Sequence, residues 1–390
     1  MSFFNTHTHI FNVPSVPDAF LTNYRIPPII GRMLRSALNK KWLRKIILGL
    51  LNKLPVKVGG IQLRRYAALV DVALHKSQEE VFNILSSNYP AEARFVFLTM
   101  NFDFMTGEAP KGNYNLYPTQ LVEAIEIRNY YGQKAIPFIF IDPRDGEANC
   151  MKLLNKYFNS SGNLGVGGVK IYPSMGYYPF HPNMDNVYAF AEANQIPIVT
   201  HAYKDGGAYY TGKFTPAVMS YNSFNTTTET SDYLNHVLKD FSSIKSDQDF
   251  ANILMHPMTY YDVLRKYKKL KICLAHFGGA VELLNQNKTD DKNKYNWTRT
   301  IKNLMIEFDN VYTDVSFTLK EQEANKIILA DMADPVLSKK ILFGTDFFMT
   351  APFATDKELT DNFSNVLKPY MNVLTNDNPE QFLTSKFFNP

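Results

Sequence analysis

Short runs of β-branched and aromatic residues recur along the chain, each followed by a stretch whose apolar positions repeat at helical spacing. Eight of these runs read as strands: Phe3–Phe11, Arg94–Phe102, Lys134–Asp142, Val166–Pro173, Ile196–Ala202, Lys271–Phe277, Val311–Phe317 and Ile341–Phe347. Most are continuously apolar rather than alternating, as expected where both faces of a parallel strand are covered. Helical patterns lie between them at Pro118–Tyr131, Cys150–Phe158, Met184–Asn194, Pro257–Lys269, Trp297–Phe308 and Glu321–Ala333. Strands alternating with helices in this way predict a (β/α)8 TIM barrel.

Two connections are too long for simple crossovers, 12–90 after the first strand and 203–270 after the fifth. The expectation is one metal-dependent barrel domain over 1–390, with 12–90 as a helical insertion acting as lid or interface and 203–270 as a second long insertion. Long connections after barrel strands usually cover the active face. Between Asp18 and Asp71 no acidic residue occurs, against eleven Lys or Arg. Within that segment Trp42–Leu54 forms an amphipathic pattern. Trp42, Leu43, Ile46, Ile47, Leu50, Leu51 and Leu54 share one face, with Arg44, Lys45, Asn52 and Lys53 opposite. Such a face packs more often on its own domain, or on a second subunit of a homo-oligomer, than on a membrane surface. A positive lid also favours an anionic small-molecule substrate.

Composition narrows the classes. The chain has 390 residues, 45% of them hydrophobic, which excludes intrinsic disorder and supplies a large core. A balance of 41 basic against 37 acidic residues gives no reason to expect nucleic acid as a partner. Cys150 and Cys273 have neither metal-ligand spacing nor a disulfide pattern. No signal-peptide pattern opens the chain, and no apolar run approaches the roughly 20 residues of a membrane span. The expectation is a cytoplasmic protein.

The barrel reading gives the histidines meaning. His7 and His9, two residues apart in "THTHIF", leave the first strand on one face, about 6–7 Å apart along it. Of eight histidines, these two together with His201 and His276 fall in the C-terminal halves of strands, where barrel enzymes collect their chemistry. Asp346 ends the eighth strand, which in a closed barrel lies beside the first. Lys170 ends the fourth, and a lysine in an apolar strand is costly unless paired or chemically altered. Each residue alone reads as a satisfied core position. Their convergence on the ends of strands 1, 4, 5, 6 and 8 reads as a metal site.

In this order "THTHIF", "GGVKIYP", "IPIVTHA", "LKICLAHFGGA" and "ILFGTDFF" resemble the amidohydrolase superfamily of metal-dependent barrel enzymes. The likeness is greatest to the amidohydrolase-related branch, which contains hydrolases and non-oxidative decarboxylases; "NVYTDVS" at the seventh strand resembles it too. The basic insertion has no counterpart in the resemblance. The resemblance implies that His7, His9, His201 and Asp346 bind a divalent metal, with Lys170 as a further ligand if carboxylated. Imidazoles and a carboxylate suit Zn²⁺ best, with Mn²⁺ or Fe²⁺ also compatible, and one ion is favoured over two. Asp346 would carry the proton of metal-activated water, and His276 would hold a developing oxyanion.

Arg144, Tyr172 and Tyr177 are expected to contact substrate, with Asp103 and Ser316 as lesser candidates. The first expectation is hydrolysis of an amide, ester or lactone. The alternative is decarboxylation of an aromatic or unsaturated acid, and a non-catalytic or membrane-associated barrel ranks last.

Overall fold

The computed structural model describes residues 3–17, 42, 45–46, 48–49, 57–58, 61–107, 116–159, 165–207, 210, 212, 226–239, 244, 246–290 and 293–390. Eight parallel strands form one sheet: β1 (Phe3–Thr8), β2 (Ala93–Leu98), β3 (Ala135–Phe140), β4 (Gly168–Ile171), β5 (Ile198–Tyr203), β6 (Ile272–Gly278), β7 (Val311–Asp314) and β8 (Ile341–Leu342). Each pairs with its successor in chain order. The sheet closes because β1 also pairs with the segment after β8: Thr6 N donates to Phe343 O, Asp346 N to His7 O, and Thr8 bridges Phe347. The fold is a TIM barrel, with helices such as Leu116–Tyr131, Glu147–Tyr157, Asp185–Asn194, Trp297–Glu307 and Gln322–Asp331 between the strands.

The continuous apolar runs have the expected cause. Every residue of β3 (AIPFIF) is buried, because one face meets the helices and the other fills the barrel. Inside, Phe4, Val96, Leu98, Ile136, Phe138, Val199, Cys273, Tyr312 and Leu342 form a cluster with Phe382, Leu383 and Phe388 from the C-terminal segment. That segment is tied to β6 by Lys271, whose Nζ donates to Gln381 O and Thr384 O.

Two register shifts decide what lies at the other end. Between Asn5 and Thr8 β1 gains a residue on β2, and β6 gains one on β5 between Ala275 and Gly278. A bulge re-aims the side chains that follow it. Phe4 packs in the interior while Asn5 bonds outward to Tyr89 and Thr345. After the shift it is His7 and His9 that face Asp346. The second shift coincides with left-handed backbone at His276 (φ 69°) and Phe277 (φ 53°).

Several helices were absent from the sequence pattern: Leu63–Ala73 and Gln78–Ser86 in the first insertion, Thr228–Leu238 and Asp247–Leu254 in the second, and Asp356–Leu367 after β8. The last two begin with capping boxes, Ser246 with Asp249 and Thr355 with Glu358. Trp42, Lys45, Ile46, Leu48 and Gly49 are helical, with Trp42 and Ile46 exposed. The rest of the Trp42–Leu54 pattern lies outside the described residues. Among the described residues no helix is long and apolar enough to cross a membrane. Cys150 and Cys273 are both free and buried.

Candidate metal centre and its pocket

At the C-terminal ends of the strands four imidazoles are each fixed by a partner at Nδ1. His7 Nδ1 lies 2.8 Å from Asp314 Oδ2, and His9 Nδ1 lies 3.1 Å from the carbonyl of Leu98. An anionic carboxylate and a carbonyl can only accept, so both rings carry their proton on Nδ1 and present a bare Nε2. His276 Nδ1 faces Ser316 O at 3.0 Å and Ser316 Oγ at 2.8 Å, which by the same logic leaves its Nε2 as an acceptor. That Nε2 sits 2.9 Å from His201 Nδ1, so His201 donates there and is left with a bare Nε2 of its own. The hydrogen-bond network therefore sets one tautomer on all four rings.

The bare atoms converge. His9 Nε2 is 3.3 Å and His7 Nε2 3.6 Å from Asp346 Oδ1. His7, His9 and Asp346 form a group whose donor atoms could all reach one ion. His7 Nε2, His201 Nε2 and Lys170 Nζ are buried with no hydrogen-bond partner. Orphaned buried polar atoms are rare because each costs roughly 1–3 kcal/mol, and the two bare imidazole nitrogens fit a site whose cation would satisfy them, whereas Lys170 Nζ would need an anion or carboxylation. Two imidazoles and one carboxylate, His7, His9 and Asp346, form a donor set that suits a divalent transition metal, and His201 falls outside that group.

Electrostatics agree. Burial lowers the pKa of His9, lowers that of His201 well below its ordinary value, and takes His276 down to about 4. Asp346 goes the other way: burial alone would raise it, but the imidazoles of His9, His276 and His7 around it hold it below the carboxylate range. Asp314 is likewise lowered, burial being outweighed by His7, His276 and Ser316. Lys170, fully buried, is taken down to about 8 by desolvation. At neutral pH the His9, His201 and His276 rings are neutral and the two carboxylates charged, the forms that bind metal.

The backbone is distorted at the same place. Of six non-glycine residues with positive φ among the described residues, His276, Phe277, Phe317 and Asp346 sit at the ends of β6, β7 and β8. Strain of this kind persists only where the surroundings over-determine it, and it clusters at functional sites. Close packing also needs glycine: a Cβ on Gly207 would stand 2.1 Å from Tyr172 Oη and 2.8 Å from His201 Nε2.

Above these groups opens a cavity with about 600 Å³ of empty space, including its mouth. His9, His201, His276 and Asp346 line its polar part. Phe11, Met100, Phe102, Phe317 and Met349 make the apolar walls, joined by Tyr172 and Tyr203. Tyr172 stacks on His201 with ring centroids 4.5 Å apart.

Sequence-expected substrate contacts divide here. Tyr172 lines the cavity, while Tyr177 is buried beside it, its hydroxyl accepting from Tyr172 N at 2.8 Å. Arg144 is not among the lining residues. Its guanidinium pairs with Asp142 at 2.6 Å and donates to the carbonyls of Phe104 and Met175. Asp103 is raised to about 6 by burial and is likewise outside the lining. Ser316 contacts the site indirectly, donating to Asp314 and facing His276. Asp314 itself has no assigned role in the sequence reading, although a lone aspartate in the apolar run "VYTDVSF" was a usable signal. The wall residues gave no signal, since Phe and Met in a barrel protein look like core.

A model of the amidohydrolase family matches residues 135–364, more than half of the chain. No curated protein sequence matches. Among solved structures the chain is similar to a manganese-bound 5-carboxyvanillate decarboxylase of Novosphingobium aromaticivorans complexed with 4-hydroxy-3-methoxy-5-nitrobenzoic acid. The two are 12% identical with a TM-score of 0.53, over 98% of this chain and 96% of that one. A TIM-barrel protein of Bordetella bronchiseptica is 15% identical with a TM-score of 0.51, covering 98% of both chains. A 2,6-dihydroxybenzoate decarboxylase from Rhizobium is 12% identical with a TM-score of 0.51, over 86% of this chain and 94% of that one. Such identities speak for the shared barrel, whereas the family match rests on the sequence itself, including β3 to β8 and the carriers Lys170, His201, His276 and Asp346: this chain belongs to the amidohydrolase superfamily.

Proposed function

We propose that the protein is a metal-dependent non-oxidative decarboxylase of a small aromatic carboxylic acid. The observation that carries this reading is the cavity wall: Phe11, Phe102, Phe317, Tyr172 and Tyr203 flank the donor cluster and suit a flat aromatic ring. The solved relatives whose names give an activity on benzoates point the same way. The sequence ranked hydrolysis of an amide, ester or lactone first, on the breadth of the superfamily. The aromatic walls reverse that order.

His7, His9, His201 and Asp346 would hold the ion, and Mn²⁺ joins Zn²⁺ as a leading candidate because a relative binds it. When bound, a divalent ion supplies a Lewis acid that orients and polarises an oxygen of the substrate. The remaining work falls to the chain. Loss of CO2 leaves the bonding pair on the ring carbon, which must gain a proton. Asp346, ionised and lining the cavity, is the group we assign to take a proton from water and pass it to that carbon, the hydroxide left behind combining with the released CO2 as bicarbonate. His276, with both ring nitrogens engaged, is assigned to fixing the His201 tautomer rather than to an oxyanion. Lys170, buried and unpartnered, would join the ligand set only if carboxylated.

The test is direct. Purified protein loaded with Mn²⁺ or Zn²⁺ is given a panel of hydroxybenzoates and benzenedicarboxylates, and CO2 release is followed. Release that disappears in Asp346→Asn supports the reading. Cleavage of aryl amides, esters or lactones, without CO2 from any acid, would return hydrolysis to first place.

A further inference from the structure

Tyr203 closes β5 two residues after His201, and residues two apart in a strand leave it on the same face. Its side chain lines the cavity beside the donor cluster, its ring 5.8 Å from that of His276. The ring has little freedom. A Cβ on Gly206 would stand 2.6 Å from its Cδ1, and one on Gly279 3.0 Å from its Cε2, so bare backbone closes on both edges. Phe317 meets the ring edge-on at 5.1 Å. A phenylalanine would fill this slot equally well, so packing alone does not call for the hydroxyl.

Among the described residues nothing hydrogen-bonds that hydroxyl. Other polar groups of the wall are engaged. His201 and His276 bond to each other, and His9 Nδ1 is held by the Leu98 carbonyl. The Tyr172 hydroxyl is pressed against the backbone of Gly207. Burial, with the charges of Glu321, Asp205 and Asp346, pushes the Tyr203 pKa up to about 12, so the group keeps its proton and stays a donor. Asp346 lines the same cavity, and its charge is felt at the hydroxyl, so the two lie within electrostatic reach. An aryl acid entering this pocket brings a carboxylate, whose burial is costly without donors.

We propose that Tyr203 is a substrate-binding residue whose hydroxyl donates a hydrogen bond to the carboxylate of the bound acid. This rests on the reading of the pocket as an aryl-acid site. The fixed ring aims the donor before substrate arrives, so little side-chain freedom is lost on binding.

The test is Tyr203→Phe, which keeps the ring between the two glycines and removes the hydroxyl alone. Benzoate and toluene, which share a ring and differ by the carboxylate, are titrated calorimetrically into the metal-loaded full chain. Tyr203→Phe is expected to weaken benzoate by about 10-fold or more, as for a hydrogen bond to a charged group, and to leave toluene unchanged. Benzoate affinity that survives the substitution overturns the proposal. So does an equal loss for both probes, which would make the hydroxyl a support of the wall, or a wild type that binds benzoate no better than toluene. The function reading is judged separately. CO2 release from an aryl acid, with benzoate binding indifferent to the hydroxyl, keeps the decarboxylase and discards the Tyr203 contact. Hydroxyl-dependent benzoate binding without CO2 release from any aryl acid does the reverse.

Discussion

His7 on β1 and Asp314 on β7 meet across the barrel with Nδ1 and Oδ2 2.8 Å apart, and this contact decides which nitrogen His7 offers to a metal. Asp314 is itself held by the backbone N–H groups of His276 and Ser316, each at 3.0 Å, so the carboxylate cannot swing away. Partners behind a ligand commonly contribute 10- to 100-fold in metal affinity. Asp314→Asn is therefore expected to weaken metal binding by about that factor while His7 remains in place. Competition against a chelator of known affinity measures it, and an unchanged constant would remove Asp314 from the site.

His7→Ala and Asp346→Ala each delete a donor whose bare atom faces the cluster, and both should be purified with little bound metal. His276→Ala removes no proposed ligand, only the acceptor that sets the His201 tautomer. Its expected loss is smaller, on the order of 10-fold in affinity. Plasma mass spectrometry reports metal content, and cooperative melting of each variant shows that the barrel survives. Wild-type metal content in His7→Ala would sink the assignment.

How much of this could be read from sequence depends on the periodicity each part obeys. The eight strands were legible because runs such as β3 are unbroken and apolar, a pattern that two-sided burial imposes directly. The proposed ligand positions stood out because His7, His9, His201 and Asp346 interrupt such runs at their ends. The bulges were not, for an extra residue in β1 or β6 leaves no compositional mark, yet without them the His7 and His276 rings would face elsewhere. Arg144 looked like an anion binder from its place after β3, but Asp142 two residues earlier had already claimed it.

Asp356 provides a prediction about stability rather than chemistry. It is buried at the start of the helix Asp356–Leu367, where Oδ2 accepts from Tyr89 Oη at 2.5 Å and Oδ1 has no partner. Burial raises its pKa to about 6. Its folded value then lies above the unfolded one, so the folded state holds the proton more tightly. Stability is full below pH 4 and falls as pH rises through 6. Asp356→Asn removes the ionisation and should gain about 1–3 kcal/mol at pH 8, with no gain at pH 4. Denaturant titrations at the two pH values decide; equal effects at both would show that the carboxyl is not desolvated.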